Sequence, residues 1–220
     1  MKQLTLFLVF CLFTNVCLAQ IGSGTIVIGS SAGFNEQQTN TTFKASSISI
    51  KPNAGYYFNT NWMLGINSEL RFSNSETKNN LGSNYQSTYK SNSKAISLGP
   101  VVRYNYPVGN RFYLFGEASA GYTTIKDKIS MDIKEHYTNP YTYITGSKLS
   151  LETEQLYMGV APGIVFFPVT RLGVELKSNL LSYTHTMKQS EESQNSMYSE
   201  NNFNLNMSFG TTSLGIGYYF

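Results

Sequence analysis

Alternation of apolar and polar residues with a period of two is the feature that most limits the folds open to this chain. Between positions 62 and 72, an apolar set has one parity and the charged residues have the other. The apolar set is Trp62, Leu64, Ile66 and Leu70, and the charged residues are Glu69 and Arg71. Successive side chains of a β-strand point to opposite faces. The pattern therefore predicts strands with one apolar and one polar face.

Eight segments of the chain carry this pattern. We predict strands over residues 24–34, 46–58, 62–72, 95–106, 112–123, 155–167, 172–182 and 202–220. The segments have about the 9–11 residues that a tilted strand needs to cross a bilayer. The last segment is too long for one regular strand. No stretch after the N-terminal region is long and apolar enough to predict a membrane-spanning helix.

The connections between these segments alternate in length. Short turns are predicted at 59–61, 107–110 and 168–170, and long polar segments lie near 35–45, 73–94, 124–154 and 183–201. We expect the long segments to be extracellular loops and the turns to be periplasmic, as in membrane barrels. The predicted fold is therefore all-β: a transmembrane antiparallel up-and-down β-barrel of about eight strands.

Charged residues within the predicted strands fall on the face opposite the apolar residues. They are Lys51, Glu69, Arg71, Arg103, Glu117, Glu175 and Lys177. A cation facing lipid at the midplane would cost about 2–4 kcal/mol, so we predict that these residues line the lumen. Alternation alone does not separate inside from outside. A soluble lipocalin-like barrel, with its apolar face around a ligand, remains an alternative at this point.

The C-terminus and the aromatic residues favour the membrane barrel. Counting back from the end of the chain, four residues alternate on one face: Phe220, Tyr218, Ile216 and Leu214. Other aromatic residues gather near the predicted periplasmic rim, where membrane barrels carry an aromatic girdle. They are Tyr56, Phe58, Trp62, Tyr104, Tyr106, Phe112 and Phe166.

The first 19 residues are typical of a signal peptide. Lys2 precedes an apolar stretch, and Cys17-Leu18-Ala19 supplies a cleavage site after Ala19. A membrane anchor helix is disfavoured because the apolar stretch is short and interrupted. A lipidated cysteine is disfavoured because no small residue precedes Cys11 or Cys17. We therefore expect a signal peptide over 1–19 and one barrel domain over 20–220, without a thiol in the mature chain.

Several short patterns resemble the small outer-membrane barrels. They are Gly24-Thr25-Ile26-Val27-Ile28-Gly29, Phe58-Asn59-Thr60-Asn61-Trp62, Leu98-Gly99-Pro100 and the Phe220 terminus, which resembles an outer-membrane insertion signal. The chain resembles the porin-like β-barrel domain family of Gram-negative bacteria, related in architecture to OmpA and OmpX. The resemblance implies an integral outer-membrane protein and no particular substrate.

Two features fit regular strands poorly. Pro52, Pro100 and Pro162 fall inside predicted strands although proline cannot donate to a ladder, so we expect bulges or irregular pairing there. In the last segment the apolar parity changes from odd at Phe203 to even at Leu214. A bulge around Gly210-Thr211-Thr212 would produce this change.

These features favour a non-enzymatic structural role or weak porin-like conduction of small solutes. Eight strands leave an interior that side chains can fill, and we expect Tyr113, Phe115, Tyr157 and Phe167 to occupy much of it. A surface-adhesion protein acting through its loops is the alternative. A lipid-modifying enzyme is a weaker one, since it would depend on His185 with neighbouring Ser or Glu residues.

Expected partners follow from the same features. With a net charge of +3 and no basic cluster, the chain is not expected to bind nucleic acid. No cofactor or metal motif is present, and lone His136 or Glu152-Thr153-Glu154 is a weak basis for a metal site. We expect a monomer in contact with outer-membrane lipid and the barrel-assembly machinery. An extracellular ligand is not identifiable from the sequence.

Overall fold

The computed structural model describes residues 21–39, 42–80, 85–135, 142–191, 200–205 and 212–220. Within these ranges the chain is almost entirely β-structure. The strand segments are β1 (Ile26–Thr39), β2 (Phe43–Tyr57), β3 (Trp62–Asn80), β4 (Tyr85–Pro107), β5 (Phe112–Glu135), β6 (Thr142–Val169), β7 (Leu172–Ser178), β8 (Leu181–Glu191), β9 (Glu200–Leu205) and β10 (Thr212–Tyr219).

Eight of these segments form a closed antiparallel ring. The order is β5-β4-β3-β2-β1-β10-β7-β6, and β6 also pairs with β5. The first and last strands close the ring, with Val27 opposite Tyr219 and Gly33 opposite Ser213. Consecutive strands run in opposite directions, so the fold is the predicted up-and-down barrel of eight strands. Among the described residues, closure gives both β1 and β10 a paired strand on each side from Val27 to Gly33 and from Ser213 to Tyr218.

Segments β8 and β9 continue the wall beyond β7 and β10. Both β7 and β8 pair with the same side of β6, and β9 pairs with β8. Lys177 lies opposite Gly163 and Leu181 lies opposite Val160. The three residues 178–180 therefore face only two residues of β6, Ala161 and Pro162. One extra residue exchanges the two faces of a strand.

This bulge corrects the prediction of one regular strand over 172–182. Glu175 on β7 is buried, whereas on β8 the even-numbered Ser182 and Thr184 line the interior cavity. The final segment also divides, into β9 and β10. Phe203 and Leu214 are both exposed, at 69% and 60%. The predicted bulge at Gly210-Thr211-Thr212 falls largely outside the described residues.

The long polar segments predicted as loops are mostly strand. The paired segments β3 and β4 leave only 81–84 between them, and β5 and β6 leave only 136–141. The prediction was wrong because it took polarity as a sign of irregular structure. Residues such as Ser73 and Ser93 lie directly opposite each other and continue the ladder. Backbone hydrogen bonds form a ladder whether the outer face meets lipid or water.

Each of the three strand prolines lies at an interruption of one ladder. Beside Pro52 the β2–β3 pairing stops at Ile50 and resumes at Asn53 without a change of register. Beside Pro100 the β4–β5 pairing stops at Leu98 and resumes at Val101, again in register. On their other sides both prolines are paired regularly.

Pro162 lies on β6 opposite the bulge between β7 and β8. The extra residue is therefore in the facing chain segment and not in β6. The prediction of irregular pairing is therefore confirmed at all three prolines. A bulge accompanies only Pro162. The missing N–H of proline accounts for a gap on one side of each site.

Apolar side chains form a band around the outer surface. On β3 the band runs from Trp62 to Phe72, and on β5 from Phe112 to Tyr122. Each stretch has about the 9–11 residues that span a bilayer at the usual tilt. Aromatic contacts mark its turn-proximal rim: the ring centroids of Trp62 and Tyr104 are 5.0 Å apart, and those of Phe112 and Phe166 are 4.7 Å apart.

Candidate functional site

An apolar plug closes the interior at the end of the barrel that carries the short turns. The buried side chains in this cluster are Ile21, Val27, Tyr57, Met63, Val101, Tyr113, Phe115, Val165, Phe167 and Tyr219. The Phe167 ring packs edge-on against Tyr219, with centroids 4.8 Å apart, and against Tyr113 at 5.6 Å. Tyr57 is fully buried, and its hydroxyl accepts a hydrogen bond of 2.8 Å from Asn105 Nδ2.

Directly beside this plug lies a network of buried charges centred on Arg103. The guanidinium donates to Glu117 Oε2 from Nε at 3.1 Å and from Nη2 at 2.7 Å. It also donates to both carboxylate oxygens of Glu175 at 2.9 Å. Arg103 is 1% exposed, and its guanidinium carbon lies 4.2 Å from the centroid of the Phe115 ring.

Two further side chains complete the network. Lys177 Nζ donates to Glu117 Oε1 at 2.9 Å, and the Tyr219 hydroxyl donates to Glu175 Oε1 at 3.0 Å. Two cations therefore face two anions, and each carboxylate receives hydrogen bonds on both of its oxygens. Buried ions are tolerated only when they are paired and hydrogen-bonded in this way. The network links β4, β5, β7 and β10 across the lumen.

A second charged cluster lies on β2 and β3. Arg71 donates from Nε and Nη2 to Glu69 Oε1, at 2.9 and 2.7 Å, and Lys51 Nζ lies 3.5 Å from the same oxygen. The Arg71 side chain is half exposed. Tyr157 on β6 reaches over the lumen and donates to Asn67 Oδ1 at 3.1 Å.

Between the two clusters the interior contains a polar cavity of about 270 Å³. Its lining includes Lys51, Glu69, Glu117, Tyr157 and Lys177. On the turn side the Arg103 network and the plug separate it from the end of the barrel. The geometry is therefore that of a pocket closed at one end rather than a continuous channel.

Beyond the apolar band, the outer wall carries charged and polar residues. Glu76 and Lys78 form an ion pair of 3.1 Å on β3. The hydrogen bond from Lys78 lowers the pKa of the exposed Glu76 carboxyl. On the inner face of the same part of the barrel, a smaller space of about 210 Å³ is lined mainly by Ser and Asn residues of β1, β2, β3 and β4. This part of the wall is suited to water.

The structure places the seven residues predicted to line the lumen in two groups. Arg103, Glu117, Glu175 and Lys177 meet in the buried network, whereas the other three form the β2–β3 cluster. Sequence reasoning did not find that Tyr57 and Tyr219 are part of the interior. Parity could have identified them. Tyr57 and Tyr219 each follow an outward-facing tyrosine, Tyr56 or Tyr218, so their side chains must point to the opposite face.

Of the other interior aromatics, Tyr113, Phe115 and Phe167 are buried as predicted. Tyr157 is half-buried over the cavity. The four residues of the predicted insertion signal all lie on the outer surface: Leu214, Ile216, Tyr218 and Phe220.

No arrangement suited to nucleophilic catalysis surrounds His185 in the described part of the chain. Its Nδ1 lies 2.6 Å from Asn201 Oδ1. Ser182 lines the interior, whereas His185 has the parity of outward-facing Tyr183 on the same strand. His136 falls outside the described residues. Within the described ranges there is no cluster of three or more metal-ligating side chains and no helix with the length and hydropathy to cross a membrane.

The distribution of polarity decides between the two kinds of barrel. At the height of the apolar band, outward residues such as Ile66 and Leu98 are about 60% exposed, whereas Arg103 is buried inside. A lipocalin-like barrel has the opposite arrangement, so that alternative is wrong. A closed barrel with an apolar outer band, aromatic rims and a polar interior belongs in the bacterial outer membrane. This is a small outer-membrane β-barrel.

Solved structures of outer-membrane proteins are similar to this barrel. Neisserial surface protein A is 13% identical, with a TM-score of 0.41, over 90% of this chain and 98% of that one. OprG from Pseudomonas aeruginosa is 12% identical, with a TM-score of 0.49, over 93% and 99%. Ail, the attachment invasion locus protein of Yersinia pestis, is 16% identical, with a TM-score of 0.35, over 90% and 99%.

At these identities the likeness describes the fold alone. No protein-family model matches the chain, and no curated protein matches its sequence.

Proposed function

We propose that the barrel has a structural, non-catalytic role in the outer membrane and forms little or no steady pore. The observation that carries this proposal is the bridging of the lumen by Arg103, Glu117 and Glu175. Side chains already fill most of the space inside eight strands. Here the filling is continuous from the charged network to the apolar plug, so solute passage would require both layers to move.

Conductance in planar bilayers tests this proposal directly. We expect the full chain to give no steady current steps. The double variant Tyr57→Ala with Phe167→Ala truncates the two most deeply buried aromatic side chains of the plug and should give brief openings, because the remaining plug is then loosely packed beside the charged layer. Tyr56→Ala is the matched control, since Tyr56 faces outward beside Tyr57. Steady currents from the unaltered chain would contradict a closed lumen.

The residues on the outer surface of the barrel support a proposal about its partners and its oligomeric state. The alternating C-terminal residues would be recognised by the barrel-assembly machinery, and the apolar band would contact lipid around the whole ring. A closed ring needs no partner strand, and we propose that the protein functions as a monomer. Cross-linking of intact cells, followed by electrophoresis without boiling, would reveal a stable oligomer if this is wrong.

A surface-interaction role is a second candidate, and strand length favours it. The segments β3 to β6 contain 19, 23, 24 and 28 residues. A membrane crossing needs about 9–11, so these strands form a wall that extends well beyond the apolar band. The presented surface would therefore be a sheet rather than flexible loops.

Shortening this wall separates the two roles. Glu76 lies opposite Lys90, and Lys128 lies opposite Ser150. Replacing residues 77–89 and 129–149 with Asn-Gly turns should leave a heat-modifiable barrel, because the apolar band is untouched. If the surface role holds, cells carrying the shortened chain will be retained less on glass coated with serum proteins. Equal retention would remove this candidate.

A further inference from the structure

A groove of about 460 Å³ crosses the outer surface of β4, β5, β6 and β8. Its floor is formed by Ala118 and Ala120 on β5, where neighbouring strands carry bulkier outward residues. Val102, Met158 and Val160 form parts of its sides. The volume falls within the range of sites that bind small molecules, about 300–1,000 Å³. The lining is almost entirely apolar, so its occupant in the membrane is a hydrocarbon chain.

Three lysines lie on the same outer face, just beyond the apolar band. Lys94 on β4 is directly opposite Lys126 on β5, and Lys128 follows on the same face of β5. Directly opposed like charges destabilise a sheet. Glu152 offsets one of them through an ion pair of 3.2 Å with Lys126. Among the described residues, no carboxylate lies within ion-pair distance of Lys94 or Lys128.

The separation between the lysines and the groove, measured along the membrane normal, matches the separation between the headgroup of a lipid and its acyl chain. Ala120 and Lys126 are six residues apart on β5, which is about 20 Å along the strand. At the usual tilt of roughly 40° this corresponds to about 15 Å of depth, or half of a hydrocarbon core of about 30 Å. Lys94 Nζ lies 5.9 Å from the centroid of the Phe72 ring. Phe72 is at the end of the apolar band that is farther from the short turns.

We propose that this face binds one phosphorylated lipid of the outer leaflet. Lys94, Lys126 and Lys128 hold the phosphate, and an acyl chain descends into the groove over Ala118 and Ala120. The phosphate offsets the repulsion between the opposed lysines, for which Glu152 supplies only one negative charge. A zwitterionic headgroup would bring a cation to the same place. The site therefore selects lipids with net negative charge, independently of whether the lumen conducts.

Native mass spectrometry of the full chain in neutral detergent measures this binding. The probes are dioleoyl phosphatidic acid and dioleoyl phosphatidylcholine, which have the same acyl chains. We expect the unaltered chain to bind phosphatidic acid more tightly. Each lysine near an anionic headgroup contributes about a fivefold factor, so Lys94→Gln with Lys128→Gln should weaken that binding about 25-fold. Binding of phosphatidylcholine should not change.

Matched variants separate a specific site from general charge and from misfolding. Lys44→Gln with Lys78→Gln removes two lysines from β2 and β3 and should leave binding unchanged. Ala120→Phe fills the groove and should weaken binding of phosphatidic acid, whereas Ala54→Phe, outward on β2, should not. Heat-dependent gel mobility confirms that each variant is folded.

Three results would overturn the proposal. The first is unchanged binding in the Lys94 and Lys128 variant. The second is an equal loss in the control lysine variant, which would show general electrostatic attraction. The third is unchanged binding of phosphatidic acid to the Ala120→Phe variant, which would show a phosphate site without a role for the acyl chain.

Discussion

Arg103 on β4 and Glu175 on β7 face each other across the barrel and share two hydrogen bonds of 2.9 Å, from Nη1 to Oε1 and from Nη2 to Oε2. Paired bonds between a guanidinium and a carboxylate are among the strongest in proteins and fix the relative orientation of both groups. The two strands are not neighbours in the ring. The pair therefore braces opposite walls and obstructs the lumen with the same atoms.

Arg103→Met should destabilise the barrel by about 3–5 kcal/mol, because it leaves two buried carboxylates with only Lys177 as a cation. The measurement is the free energy of unfolding in urea, followed in lipid vesicles. Arg71→Met is the control: its side chain is half exposed and paired with Glu69, so its loss should cost less than about 1 kcal/mol. Equal effects of the two variants would show that the buried network does not brace the barrel.

Gly99→Ala should destabilise the barrel by about 1–3 kcal/mol through overpacking. A Cβ at Gly99 would overlap the carbonyl oxygen of Ala120, because β4 and β5 approach closely at the facing Gly121. Gly116→Ala is the control, since its Cβ would have no atom within 4 Å. The same unfolding experiment compares them. A stable Gly99→Ala barrel would mean that the close approach is not required.

Ile66→Arg should cost about 2–4 kcal/mol, the penalty for a cation facing lipid near the midplane. Ile66 is outward and 58% exposed in the middle of the band on β3. Asn74→Arg lies on the same strand and the same face, beyond the band, and should be nearly neutral. Unfolding in vesicles measures both. Tolerance of arginine at position 66 would place this face in water rather than lipid.

Phe220→Ala should lower the amount of assembled barrel in cells without weakening the folded protein in vitro. Phe220 is 62% exposed and contacts Tyr218, with ring centroids 4.7 Å apart, so little packing is lost. Phe58→Ala, an outward aromatic residue near the same rim, is the control. The readout is the heat-modifiable fraction in outer membranes. A similar defect in both variants would show a general need for rim aromatics instead of a terminal signal.

Gel mobility of the unaltered chain, boiled against unboiled, is the check on which these variants depend. A closed barrel that resists detergent migrates faster until heat unfolds it. Unchanged mobility together with recovery from the soluble periplasm would contradict the membrane assignment and the predictions for Ile66 and Phe220, which depend on it.

Local periodicity was enough to predict much of this fold. Glu69 and Leu70 are adjacent in the chain, yet Glu69 faces the lumen and Leu70 faces outward. Side chains alternate in this way along every extended strand. The same parity placed Arg103 and Glu117 opposite the apolar face. Polarity was a poor guide to strand ends, because the ladder that joins Ser73 to Ser93 depends on backbone groups that every residue type except proline supplies.

The sequence by itself determined which residues of a regular strand share a face, since the parity of side chains is local. Only the tertiary structure decided which of them meet. Arg103 reaches Glu175, which is 72 residues away, because the ring closes with β10 against β1 and brings opposite walls together. Closure depends on the register of every pair of strands at once. The same closure turns Tyr57 and Tyr219, which are ordinary odd-numbered strand residues, into parts of one plug.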